Sequence, residues 1–187
     1  MSAANSLAGL SGWTRELDSA LGRVPDFPHA GICFYDIGPV LRDKDLFSGV
    51  ISRLVDSFAG EGITRVVGVE SRGFILAAPV ALALQAGFVP LRKAGKLPGP
   101  TRSMAYDLEY GNDTLEVQVD SLAAGERVLV IDDVLATGGT AGTACRLVQA
   151  TGATLVGIGF LLELLSLNGR AHLPAGVRTV SLLGIAS

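Results

Sequence analysis

The chain has 187 residues, 49% of them hydrophobic, and a formal net charge of −3. That length suits one domain whose core needs no disulfide or metal to fold, and the composition excludes a disordered chain. The slight negative charge excludes a protein built to coat nucleic acid, so any grip on phosphate must be local.

In chain order, Met1–Gly12 is rich in Ala and Ser, lacks a basic start, and reads as a loose terminus. Thr14–Leu21 reads as a first helix. Asp43–Phe58 reads as a second, with Leu46, Phe47, Val50, Ile51, Leu54, Val55 and Phe58 close to the helical period. Arg65–Val69 is a continuous β-rich run, as a strand buried on both faces should be. Gly73–Leu91 carries no charge and approaches the length of a membrane span. Pro79, the Ala-Gly pair at 86–87 and Pro90 break it up, so we read a buried helix ending near Gly87 and a short strand at Val89–Arg92. Residues 94–120 are polar and rich in Pro and Gly, with strand-like runs on either side of Gly111-Asn112-Asp113. They predict a long loop and a projecting hairpin, the usual form of a lid. Arg127–Ile131 is another buried strand, Thr140–Ala150 a helix, and Leu155–Leu161 a strand again. Strand, helix and strand at this spacing mean βαβ units: an α/β fold with a mainly parallel sheet flanked by helices, as one domain over residues 1–187.

The richest chemistry follows the strand at 127. It ends in Asp132-Asp133 and continues Val-Leu-Ala-Thr-Gly-Gly-Thr into a helix. Ligands of parallel sheets bind at the carboxyl ends of strands. Two glycines let the backbone approach a ligand closely, Thr140 can cap the helix, and free N–H groups at a helix start form an anion site. Such a loop holds a phosphate monoester without spending a cation. Hydroxyls of a sugar, or a metal, are the natural partners of the two acids. Phosphate on Thr137–Thr140 and hydroxyls on Asp132 and Asp133 describe ribose 5-phosphate. The Gly-Lys-Ser/Thr string of a P-loop and the Gly-x-Gly-x-x-Gly fingerprint in the first βα turn are both absent. Cys33 and Cys145 lie far apart and give a zinc site or disulfide framework no support. Two thiols and no signal peptide lead us to expect a cytoplasmic setting, with neither nucleic acid nor membrane as partner.

VLVIDDVLATGGT resembles the phosphoribosyl pyrophosphate motif of the type I phosphoribosyltransferases. Further strings resemble the adenine-specific branch of that family: PDFPHAGICFYDIGPVL, GVESRGFILAAPVALALQAGFVPLRKAGKLPGPT, YDLEYGNDTLEV and LLELLSLNGR. The resemblance implies the family's fold and the conversion of adenine and phosphoribosyl pyrophosphate to AMP and pyrophosphate, by a homodimer. It implies that Asp132, Asp133, Ala136, Thr137, Gly138, Gly139 and Thr140 hold the donor or AMP. Glu70-Ser71-Arg72-Gly73 resembles a loop that grips pyrophosphate, often through a cis peptide, and Arg72 would face the leaving group. Arg92, Lys93 and Lys96 would add charge there, across a dimer interface. Mg²⁺ would arrive on the substrate, since no all-protein cage is visible.

In the lid, Glu109, followed by Tyr110 and Gly111, matches the family's proposed proton acceptor. Phe34 and Leu164 match positions that sandwich the purine ring, and Cys33 and Tyr35 match neighbours whose backbone reads its edge. The family usually has Phe-Arg-Asp-Ile where this chain has Phe-Tyr-Asp-Ile. If backbone groups do the reading, Tyr35 is tolerated; if the Arg side chain takes part, adenine specificity changes. Two rival functions remain. A sister enzyme for hypoxanthine or guanine typically carries an acid just before the Thr of the phosphate loop, where this chain has Ala136. A non-catalytic purine-sensing or donor-sensing regulator usually needs a nucleic-acid-binding element, for which residues 1–24 are too short.

Overall fold

The computed structural model describes residues 12–107 and 112–186. The reading of the first eleven residues as a loose terminus, and the lid residues Glu109, Tyr110 and Gly111, lie outside the described residues.

Helix α1 (Gly12–Ala20) leads into β1 (Gly22–Pro25) and β2 (Cys33–Asp36), which pair as a separate antiparallel hairpin. Helices α2 (Gly38–Arg42) and α3 (Lys44–Phe58) follow. Asp43 caps α3 by accepting hydrogen bonds from the Asp45 and Leu46 amides at 2.9 and 3.0 Å. The main elements are then β3 (Arg65–Val69), α4 (Arg72–Ala83), β4 (Gly87–Lys93), β5 (Thr101–Asp107), β6 (Asn112–Gln118), β7 (Arg127–Leu135), α5 (Gly139–Ala150), β8 (Thr154–Leu164) and β9 (Arg178–Ile185).

Seven strands form one sheet in the order β5-β6-β4-β3-β7-β8-β9. The run β4-β3-β7-β8-β9 is parallel, and the β5/β6 hairpin joins its edge antiparallel. The expected α/β architecture and the projecting hairpin are both present. Alternate residues of the central strands feed two cores. Val67, Val128 and Val130 face α5 and the hairpin, while Val66, Leu129 and Ile131 face α1, α3 and α4. Both faces being covered explains why these strands read as unbroken apolar runs. Chain order reverses beside β3: β4 lies on one side of it and β7 on the other. A cleft opens at such a switch point, between the carboxyl ends of β3 and β7.

The structure corrects several sequence expectations. The helix expected to run to Gly87 stops at Ala83, because Leu84 caps it and Gln85 takes a positive φ of 55°. The strand expected to end at Ile131 continues to Leu135. Ladder pairs Asp132↔Phe160, Val134↔Leu162 and Leu135↔Glu163 carry it onward, so both acids sit inside the strand. Thr140 does not cap α5: Gly138 occupies the N-cap position, with φ 85°, and no side chain caps the helix. The hairpin strand β5 fills much of the span read as loop. Strands β1, β2 and β9 and helix α2 had no counterpart in the sequence reading. Gly73–Leu91 divides between α4 and β4, and no helix among the described residues is long and apolar enough to cross a membrane.

Candidate active site

A cavity of about 1300 Å³ opens at the switch point. Three stretches remote in sequence meet on its walls: Cys33–Tyr35 of β2, Glu70–Arg72 after β3, and Asp132–Thr140 at the end of β7 and the start of α5. Leu164, at the end of β8, completes the lining opposite the hairpin. The structure thus brings together Cys33, Phe34, Tyr35, Ser71, Arg72, Asp132, Asp133, Ala136, Thr137, Gly138, Gly139, Thr140 and Leu164.

The floor is set by the two acids. Asp133 is buried, and its own amide donates to Asp132 Oδ1 at 2.9 Å. Burial raises both carboxyls above their ordinary range. The charge of Asp133 raises Asp132 further, while the Arg72 guanidinium pulls Asp133 back. Arg72 Nε stands 2.8 Å from Asp133 Oδ2, an ion pair not aligned as a hydrogen bond. The same guanidinium lies over the Phe34 ring at 5.2 Å, so one cation touches both the acid floor and an aromatic wall of the cavity. Gly73 makes this approach possible: a Cβ there would lie 2.7 Å from Asp132 Oδ1. The peptide joining Glu70 to Ser71 is cis.

The glycine loop between β7 and α5 is held from behind. Gly138 needs its positive φ, and a Cβ on it would collide with the Gly169 carbonyl oxygen. Gly169 belongs to a short 3₁₀ turn, Gly169–His172, fixed by a bidentate pair. Arg170 Nε and Nη2 donate to Glu163 at 2.8 and 2.7 Å, and the hydrogen bonds from Arg170 hold the Glu163 carboxyl below its ordinary range.

Arg92, Lys93 and Lys96 do not line the cavity; they ring its edge and are already paired. Glu70 takes Arg92 Nη2 at 3.3 Å, Lys96 Nζ at 2.8 Å and the Lys93 amide at 2.9 Å. Burial pushes the Glu70 carboxyl up, but these donors outweigh it and bring it to about 2. Lys93 Nζ meets Asp113 at 3.0 Å, and Asp113 also accepts from the Tyr106 hydroxyl at 3.2 Å. The sequence reading missed Glu70 as the anchor of these cations, and missed Tyr106, Arg146 and His172 as lining residues. Of these, only Tyr106 carried a usable signal, its place in the YDLEYG string.

The phosphoribosyl transferase domain family matches residues 43–171. An adenine phosphoribosyltransferase of Myxococcus xanthus is 56% identical over 154 residues, covering 82% of this chain and 84% of its own. The crystal structure of adenine phosphoribosyltransferase from Rhodothermus marinus superposes with a TM-score of 0.89 at 49% identity, covering 92% of this chain and 98% of that one. That from Saccharomyces cerevisiae, complexed with an imino-altritol bisphosphate and adenine, gives 0.87 at 41% identity, covering 93% and 100%. The chain belongs to the adenine phosphoribosyltransferase family. It is a glycosyltransferase of the pentosyl class, with the type I phosphoribosyltransferase fold.

Two outcomes follow from this geometry. Gly138→Ala must abandon either its φ or its contact with Gly169, and donor KM should rise by about tenfold or more in steady-state assays; an unchanged KM would contradict the tight apposition. For Glu70 the folded value, about 2, lies below the ordinary 4.5. Its contribution to stability is therefore full above pH 4.5 and is lost as pH falls toward 2. Urea midpoints of wild type and Glu70→Gln should differ at pH 7, and the gap should narrow steadily as pH falls from 4.5 toward about 2. A gap that widens on acidification would reverse the sign.

Proposed function

We propose that this cavity joins adenine to phosphoribosyl pyrophosphate, yielding AMP and pyrophosphate for purine salvage. The observation that carries this reading is the meeting of an acid-floored strand end, a glycine anion loop and an apolar slot in one cavity. The Thr137–Thr140 loop holds the 5-phosphate, Asp132 and Asp133 the ribose hydroxyls, and Phe34 and Leu164 sandwich the purine. The backbone of Cys33 and Tyr35 reads its edge. That Tyr35 lines the cavity with its backbone paired to Arg23 supports backbone reading, since the pairing fixes the strand whatever the side chain. Adenine bound in the yeast relative supports the choice of base.

The reaction forms a bond from adenine N9 to the anomeric carbon as the bond to pyrophosphate breaks. The N9 proton passes to Glu109. The strand that precedes Glu109 in sequence reaches the cavity wall at Ala105 and Tyr106, which supports its access. Arg72 neutralises charge on the departing pyrophosphate, and Ser71 adds a polar contact. Arg92, Lys93 and Lys96 form a cationic rim that pyrophosphate meets on leaving. Lid residue Tyr110 helps shut out water.

A Mg²⁺ ion fits this site as substrate cargo. The cavity offers two adjacent carboxylates, and the described residues contain no cluster of three or more His, Cys, Asp or Glu able to cage a metal. When bound it offsets charge on the diphosphate. We place the enzyme in the cytoplasm as a homodimer.

A steady-state comparison of adenine, hypoxanthine, guanine and xanthine, each with phosphoribosyl pyrophosphate, tests the choice of base. Adenine should be turned over fastest; equal or faster turnover of hypoxanthine would overturn the assignment. Glu109→Ala should lower kcat by roughly 10²–10⁴-fold. An unchanged kcat would remove Glu109 from the proton transfer.

A further inference from the structure

The helix after the phosphate loop carries a cation that the roles above leave unused. Arg146 stands on α5, one turn beyond Gly142, and lines the cavity. Side chains on a helix lean back toward its N-terminus, here toward the loop. The guanidinium follows that rule. Its Nη2 donates to Thr143 Oγ1 at 2.7 Å, and Nη1 lies 3.4 Å from where a Cβ on Gly142 would stand. Thr143 is fully buried, so the anchor is fixed. The Gly142 amide in turn donates to the Gly138 carbonyl at 2.8 Å, which puts the head group one helical turn from the loop glycines. Gly142 has no room for a side chain, because a Cβ would collide with the His172 carbonyl oxygen.

The charges on the wall sharpen the point. Its charged side chains are Glu70, Arg72, Asp132, Asp133 and Arg146. Arg72 is matched by Asp133, and Glu70 by Arg92 and Lys96. Arg146 has no carboxylate partner among the described residues; its one neighbour by hydrogen bond is a neutral hydroxyl. A phosphate monoester brings about −1.5 to −2 charge at neutral pH. The start of a helix returns only about half a positive charge. The loop alone leaves most of the phosphate charge uncompensated, and the unmatched guanidinium stands beside it.

We propose that Arg146 is an additional binding residue for the 5-phosphate of the donor and of AMP, contacting oxygens turned away from Thr137–Thr140. This rests on the assignment of that loop to the 5-phosphate. Arg146 then sets affinity for every ligand bearing a 5-phosphoribosyl group and leaves adenine affinity alone.

Arg146→Gln keeps a donor for Thr143 and removes the charge. Donor KM and the inhibition constant of ribose 5-phosphate should each rise by about tenfold, as for one lost charge-assisted hydrogen bond. The loss should fall on KM rather than kcat, with adenine KM unmoved, and Arg146→Lys should recover part of it. A purely structural role would lower the melting temperature, spread over both substrates and gain nothing from lysine, and that pattern would overturn the proposal. So would ribose 5-phosphate inhibiting wild type and Arg146→Gln equally. If ribose 5-phosphate fails to inhibit wild type at all, the loop assignment falls and this inference falls with it.

Discussion

Everything in the site hangs on two carboxylates being carried into the sheet. Asp132 and Asp133 lie within β7, whose ladder with β8 runs on past them to Leu135. Adjacent acids in a low-dielectric place repel each other and resist ionisation, which is why burial raises both. The fold offsets this with Arg72 at 2.8 Å from Asp133, delivered by the start of α4. The close approach of α4 to β7 at Gly73 is therefore an electrostatic requirement as much as a packing detail. Because Arg72 also lies over Phe34, the acid floor and the aromatic wall share one cation. A group that neutralises the acids would release Arg72 from Asp133, so occupancy of the acid floor and the position of this guanidinium are linked.

The phosphate loop depends on a second constraint, placed behind it. A loop of small residues presents its amides well only if something fixes its shape. Here the fixing comes from the neighbouring strand end and the turn beyond it. Glu163, at the end of β8, grips Arg170 in a two-pronged pair and so pins the turn that carries Gly169 and His172. Gly169 then packs against the loop at Gly138 and Ala136, and His172 against α5 at Gly142. A buried, paired carboxylate is weak evidence for added stability. Its value here is geometric: it transmits the position of β8 to amides that no side chain caps.

How much of this could be read in the sequence follows from where each signal is stored. Helix α3 was legible almost to the residue, because its apolar stripe and the capping Asp43 are local features. The donor loop was legible too, since its glycines, threonines and acids are contiguous. The ends of β7 and β8 were not, because ladder pairing across strands extends them beyond their apolar runs. Strands β1 and β2 were missed for the opposite reason: their residues are mostly exposed or half-buried and lack an apolar signature. The pairing of Arg92 and Lys96 with Glu70 joins residues far apart in sequence. The string RKAGK announces charge, but only the fold shows what holds it.

Charge along the cavity is sorted by distance from the sheet, and that order follows from topology. Acids sit deepest, within the strand that reaches the cavity floor. Cations sit outside them, on helices and at a strand end: Arg72 at the start of α4, Arg146 on α5, Arg92 near the end of β4 and Lys96 three residues beyond it. Helix-borne and edge-borne side chains keep part of their surface in water, so they hold charge at less desolvation cost than a strand interior would impose. A ligand anionic at both ends and hydroxylated in the middle matches that sequence of charges. The apolar side chains of Phe34 and Leu164 line the same cavity away from this order of charges and suit a flat, neutral group. The cavity thereby offers a ligand two kinds of physics, electrostatic order on one part of its wall and shape with apolar contact on another.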